Sequence, residues 1–126
     1  MLRKPWGYML SIDAGKCLPV AIRCPKHIES FTKKLVKEID MTAYGEPQIV
    51  MFGEGNKRGY TLSQLITTSN ISAHFCEEDN CFFIDIFSCK PFDKDKAKKV
   101  IQYHFCPQVM VEHYIERYIP NYEKLA

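Results

Sequence analysis

At 126 residues and a net charge of +2, the chain has room for one domain, residues 1–126, and carries too little positive charge to imply a nucleic-acid partner. Its apolar and aromatic contents, 46% and 13%, suit a packed core, and no segment is compositionally biased or apolar over a length that spans a bilayer. The first residues lack the apolar centre of a signal peptide, so no membrane association and a cytoplasmic location are expected.

Trp6 to Asp13 alternates as a first strand and turns near Gly15. Pro25 suits the first turn of a helix, and Ile28, Phe31, Leu35 and Ile39 recur on one face of it. The helix ends before Gly45, and Gln48 to Phe52 is a short apolar strand. Gly53 to Gly59 contains three glycines but lacks the Gly-Lys-Ser/Thr ending of a phosphate loop, so it reads as a hairpin loop. Tyr60 to Thr67 is the next strand, with Thr61 and Ser63 on one side and Leu62 on the other. Ile71, Ala73 and Phe75 then alternate with Ser72, His74 and Cys76. A turn at Glu77–Asn80 leads into the strand Cys81–Ser88. Asp93 is placed to cap a helix from Lys94 to about Tyr103 that buries Ala97, Val100 and Ile101, and Cys106-Pro107 stops it. Gln108 to Ile119 alternates Val109, Val111, Ile115 and Ile119 with polar residues, which predicts a long, half-buried final strand rather than a bare edge. The architecture expected is α+β: a two-layer α/β sandwich with a mainly antiparallel sheet and two helices on one face.

Three side chains stand out against this frame. Ser69 precedes His74 by five residues, and Cys89 follows Ser69 by twenty. Ser69 and Cys89 each lie ten residues from the turn centre near Asp79, so a hairpin returns one to the other. Singly, each has a plainer reading: a polar strand serine, a histidine on the wet face of a sheet, a small buried thiol. The six cysteines form no Cys-x-x-Cys pair and the histidines are scattered, so free thiols and no metal site are expected. The lysines of 33–37 and 94–99 suit solvated helix faces.

The joint spacing resembles a family. Gly59-Tyr60-Thr61, Ser69-Asn70-Ile71-Ser72-Ala73-His74 and Asp85-Ile86-Phe87-Ser88-Cys89 are similar to three blocks of the prokaryotic S-adenosylmethionine decarboxylases, with no gap between blocks. These run Gly-x-Ser, Glu-Ser-His-x-Ser-x-His-x-Trp-Pro-Glu and Asp-x-Phe-x-Cys. The resemblance extends more weakly from Trp6 to Ile119. It implies the same sandwich, a homodimer with sites where protomers meet, and a self-processing precursor. In that family the serine attacks the carbonyl of the preceding residue and converts amide to ester. Elimination and hydrolysis then leave a pyruvoyl group at a new N-terminus. Here the bond is Thr68–Ser69, giving chains 1–68 and 69–126. The resemblance assigns His74 to the Ser69 α-proton and the Thr61 hydroxyl to the oxyanion. The pyruvoyl ketone forms a Schiff base with the substrate amine and accepts electrons as carbon dioxide leaves, and Cys89 reprotonates the α-carbon. Glu78 stands where the family binds substrate.

The chain also departs from the pattern. Thr68 replaces glutamate, Asn70 replaces histidine, Cys76-Glu77 replaces Trp-Pro, and Gly55 stands where the family has an adenine-stacking phenylalanine, with Phe52 as a substitute from a rearranged loop. The implied function is decarboxylation of S-adenosylmethionine for polyamine (spermidine) biosynthesis. The alternatives are the same chemistry on ornithine or arginine, and an uncleaved homologue that acts by binding.

Overall fold

The computed structural model describes residues 4–120. The elements in order are β1 (Gly7–Gly15), α1 (Pro19–Ile22), α2 (Pro25–Glu38), β2 (Ala43–Phe52), β3 (Gly59–Ile66), β4 (Ser69–Cys76), β5 (Cys81–Ser88), α3 (Lys94–Phe105) and β6 (Val109–Arg117), with a short 3-10 turn at Gly55–Lys57. All five strand pairings are antiparallel, and the strand order is β2-β3-β4-β5-β1-β6. The expected α+β sandwich is the fold observed.

Alternation builds the core. Leu10 and Ile12 of β1, Leu62 of β3, Ile71 and Ala73 of β4, and Ile84 and Ile86 of β5 are buried on one face of the sheet. Ile28, Phe31 and Leu35 of α2 and Ala97, Ile101 and Phe105 of α3 pack against them in a single cluster. Phe31, Phe75 and Phe82 surround Phe105 with ring centroids 4.8–5.5 Å apart, near the separation that favours edge and offset contacts. Asp93 caps α3 as expected, its carboxylate accepting from the N–H groups of Asp95 and Lys96.

The opposite face of the sheet carries Val50, Leu65, Phe83, Val111 and Ile115, all roughly half exposed, interspersed with Ser63, Asn70, His74 and Asp85. Both main helices lie on the other side, so among the described residues this face is open.

Two expectations are corrected. The final strand was expected to be half buried and no bare edge. It is an edge strand, paired among the described residues with β1 alone, and every residue of it except Met110 is exposed. Alternation reports which residues share a face, whereas edge position depends on which strands find each other. Charges protect this edge: Glu112 is held by Lys94 at 3.3 Å and Lys98 at 2.8 Å from α3. The second strand begins earlier than expected, at Ala43 rather than Gln48, because its pairing with β3 shifts between Tyr44 and Gln48. The buried Gln64 amide donates to the Tyr44, Gly45 and Leu65 carbonyls at 2.7–3.3 Å and satisfies that irregular backbone.

Candidate active site

Thr67 and Thr68 alone join β3 to β4, because Ile66 pairs directly with Ser69. So tight a link forces one residue into the left-handed region, and that residue is Thr68, at φ +61°. Turns place glycine or asparagine there; a β-branched residue in that conformation costs about 1–2 kcal/mol. The strain therefore sits on the residue whose carbonyl precedes Ser69.

The surroundings hold it in place. The Thr68 hydroxyl donates to the Thr67 carbonyl at 2.6 Å and lies 2.6 Å from Cys89 Sγ. A hydroxyl has one proton and a carbonyl can only accept, so the thiol is the donor in the second contact. The Cys89 N–H also donates to Ser69 Oγ at 3.4 Å. Cys89 is positioned by its neighbours. Buried Ser88 donates to the Lys90 carbonyl at 2.7 Å and accepts from the Lys90 N–H at 3.1 Å, and Lys90 Nζ reaches the Asp40 carbonyl beyond α2 at 2.7 Å. The hairpin register, with Ser69 opposite Ser88, brings the thiol to the serine.

Thr61 and His74 form a second group elsewhere. They face each other across β3 and β4, and Thr61 Oγ1 lies 3.4 Å from His74 Nδ1 on the open face. Phe52, 58% exposed, is paired with Gly59 at the same end of the sheet, and Glu78 is exposed in the turn after β4. A Cβ at Gly59 would come within 1.6 Å of the Phe75 carbonyl, so glycine is required where these strands press together. The loop before β3 and the turn after β4 are tied by the Glu77 N–H to the Arg58 carbonyl at 3.1 Å and by Cys76 Sγ to the Asn56 carbonyl at 3.1 Å.

One chain does not bring the two groups together. Ser69 and His74 are five residues apart on one strand, a span of roughly 16 Å at about 3.3 Å per residue, and an odd step points them to opposite faces. The assignment of His74 and Thr61 to Ser69 therefore cannot operate within a single protomer.

A further feature lies beside the serine turn. Trp6, 65% exposed, stacks on Phe87 with centroids 6.1 Å apart and planes at 21°, and the Arg117 guanidinium lies 5.5 Å from the Phe87 ring. With Lys4, Tyr118 and Ile119 these residues line an open hollow of about 870 Å³. Phe87 pairs with Asn70, the residue after Ser69. Sequence reasoning passed over this pair because an aromatic residue at a strand end is ordinarily core.

Fold and turn together define a small α+β domain built around a strained serine hairpin. The family model described as S-adenosylmethionine decarboxylase matches residues 8–118. Proteins named S-adenosylmethionine decarboxylase proenzyme from two strains of Clostridium botulinum, Loch Maree and 657, are each 30% identical over 98 residues, 77% of this chain and 78% of theirs. The crystal structure of the adenosylmethionine decarboxylase from Aquifex aeolicus VF5 has the same fold, with a TM-score of 0.77 over 93% of this chain and 94% of that one at 22% identity. The chain belongs to the S-adenosylmethionine decarboxylase family.

Proposed function

We propose that this chain is a single-domain, self-processing decarboxylase precursor that cuts itself between Thr68 and Ser69 and then acts on S-adenosylmethionine in polyamine biosynthesis. The observation that carries the reading is the left-handed Thr68 immediately before Ser69, clasped by the Cys89 thiol. Strain at a scissile residue raises the ground state, and attack of Ser69 Oγ on the Thr68 carbonyl carbon frees Thr68 from the turn.

Residue 69 suits a pyruvoyl group. It is half-exposed at the start of a strand, with the Cys89 N–H aimed at its side chain and a thiol one residue away from it. When formed, that group supplies a ketone that captures the substrate amine and accepts the electron pair released with carbon dioxide. The chain's own residues do the rest. Cys89 is the acid beside position 69. His74 is the base for the Ser69 α-proton, and Thr61, hydrogen-bonded to that imidazole, supplies the oxyanion donor.

The separation of these groups supports a homodimer in which Thr61, His74, Phe52 and Glu78 of a second copy serve Thr68, Ser69 and Cys89 of the first. The open sheet face, with its half-exposed Val50, Leu65 and Phe83, offers the surface for that contact. Substrate contacts follow from the same arrangement. Glu78 binds ribose hydroxyls, and an adenine lacking a ring at Gly55 has aromatic faces at Phe52 and at the Trp6–Phe87 stack. Six free cysteines fit the reducing cytoplasm.

No helix of the described residues is long and apolar enough to cross a membrane. Intact mass of the denatured protein tests the reading: two chains, 1–68 and 69–126, are expected from wild type and one from Ser69→Ala. A wild-type chain that stays whole on long incubation leaves only the binding homologue. Faster carbon dioxide release from ornithine or arginine than from S-adenosylmethionine overturns the substrate while keeping the chemistry.

A further inference from the structure

The turn at the far end of β4 carries a donor set that this chemistry does not use. Cys76 and Cys81 are the last residue pair of the β4–β5 hairpin, so their side chains stand side by side on the open face. Asp79 sits in the four-residue turn between them, its Oδ2 3.8 Å from Cys76 Sγ. The two sulfurs and a carboxylate oxygen of Asp79 all lie within 4.8 Å of one another. We propose that Cys76, Asp79 and Cys81 form a binding site for a thiolate-preferring divalent ion of the zinc class.

The geometry is close to what such an ion requires. With bonds of about 2.3 Å to sulfur and 2.1 Å to oxygen, tetrahedral ligands stand about 3.6–3.8 Å apart, so closing the turn by about 1 Å completes three of four positions. The fourth is left to water, since Asp79 is exposed and both cysteines are only half buried. Two sulfur donors exclude magnesium and calcium, which take oxygen sets, and select zinc or its congeners. The turn is backed from the core side, where the Cys17 N–H donates to the Asn80 carbonyl at 2.9 Å.

The expectation of no metal rested on the absence of a Cys-x-x-Cys pair. The signal in the sequence is Cys76-x-x-Asp79-x-Cys81, which has meaning only once a four-residue turn sets the two cysteines opposite each other. An ion there pins the turn that carries Glu78, a consequence that rests on the decarboxylase reading; the site itself does not.

Titration of the reduced full chain with Co²⁺ tests the site directly. One equivalent is expected to raise a thiolate-to-cobalt charge-transfer band in the near ultraviolet, which Zn²⁺ displaces. Cys76→Ser and Cys81→Ser should each lose the band. Asp79→Asn, in an exposed turn where the fold is safe, should weaken binding on the order of 10-fold or more. Cys24→Ser should leave the band unchanged. Absence of the band in wild type, or its survival in the Cys76→Ser/Cys81→Ser double variant, overturns the proposal. The readout requires neither cleavage nor turnover, so its failure is distinguishable from failure of the decarboxylase reading.

Discussion

Two hairpin turns flank β4, and they solve the same problem differently. The turn after it, Glu77–Asn80, puts its left-handed residue at Asn80, φ +52°, a type that accepts this conformation through its short polar side chain. The turn before it puts a threonine at φ +61°. Nothing in the hairpin register requires threonine, since asparagine or glycine would close the same two-residue link. One turn is relaxed and presents donors; the other is strained and ends on a serine with a thiol at its side. The difference teaches that strain has been kept at one end of a strand and avoided at the other, and the strained end is where the proposed cut falls.

Removing the nucleophile should have the largest effect. Ser69→Ala is expected to abolish cleavage outright, read as a single full-length mass, while no substitution of Asn80 should do so. Next, His74→Ala should slow cleavage by about 10²–10⁴-fold, the usual contribution of a positioned general base, measured as a time course of chain separation. Thr68→Gly, placed in a Ser69→Ala background so that the chain stays whole, should raise stability by about 1 kcal/mol, or about 3–5 °C in Tm. Asn80→Gly in the same background should change stability by less than about 0.5 kcal/mol. Equal responses at the two turns would erase the contrast.

A further small effect belongs to a control on neither turn. Hydrogen bonds from Lys98 and then Lys94 hold the Glu112 carboxyl below its usual value of 4.5. A carboxylate depressed by folding stabilises above its unfolded pKa and loses that contribution as pH falls through the folded one. Glu112→Gln should therefore cost about 0.5 kcal/mol at neutral pH, after allowance for its solvent exposure, and nothing once the pH is well below 4.5. Chemical denaturation across that range reads the difference.

The elements and the proximity of Ser69 to Cys89 were legible because alternation and a short turn are local properties. The left-handed Thr68 was not legible: threonine gives no local sign of positive φ, and only the register Ile66–Ser69 imposes it. The edge position of β6 and the shared face of Cys76 and Cys81 are likewise pairing properties, settled between strands distant in sequence or by a turn length read only in three dimensions. The early start of β2 was masked by Gly45 and Pro47, which read as breakers until Gln64 is seen to satisfy the backbone around them.

The central claim is that the serine end of one chain is served by the histidine end of another. Co-expression of Ser69→Ala and His74→Ala chains with distinguishable tags, followed by denaturing mass analysis, tests it most directly. The account expects the His74→Ala chain, whole when expressed alone, to be cut between Thr68 and Ser69 in the mixture, while the Ser69→Ala chain stays intact. If the wild type is cut and the mixture yields no cleaved chain, the two groups do not meet across protomers and the account is wrong.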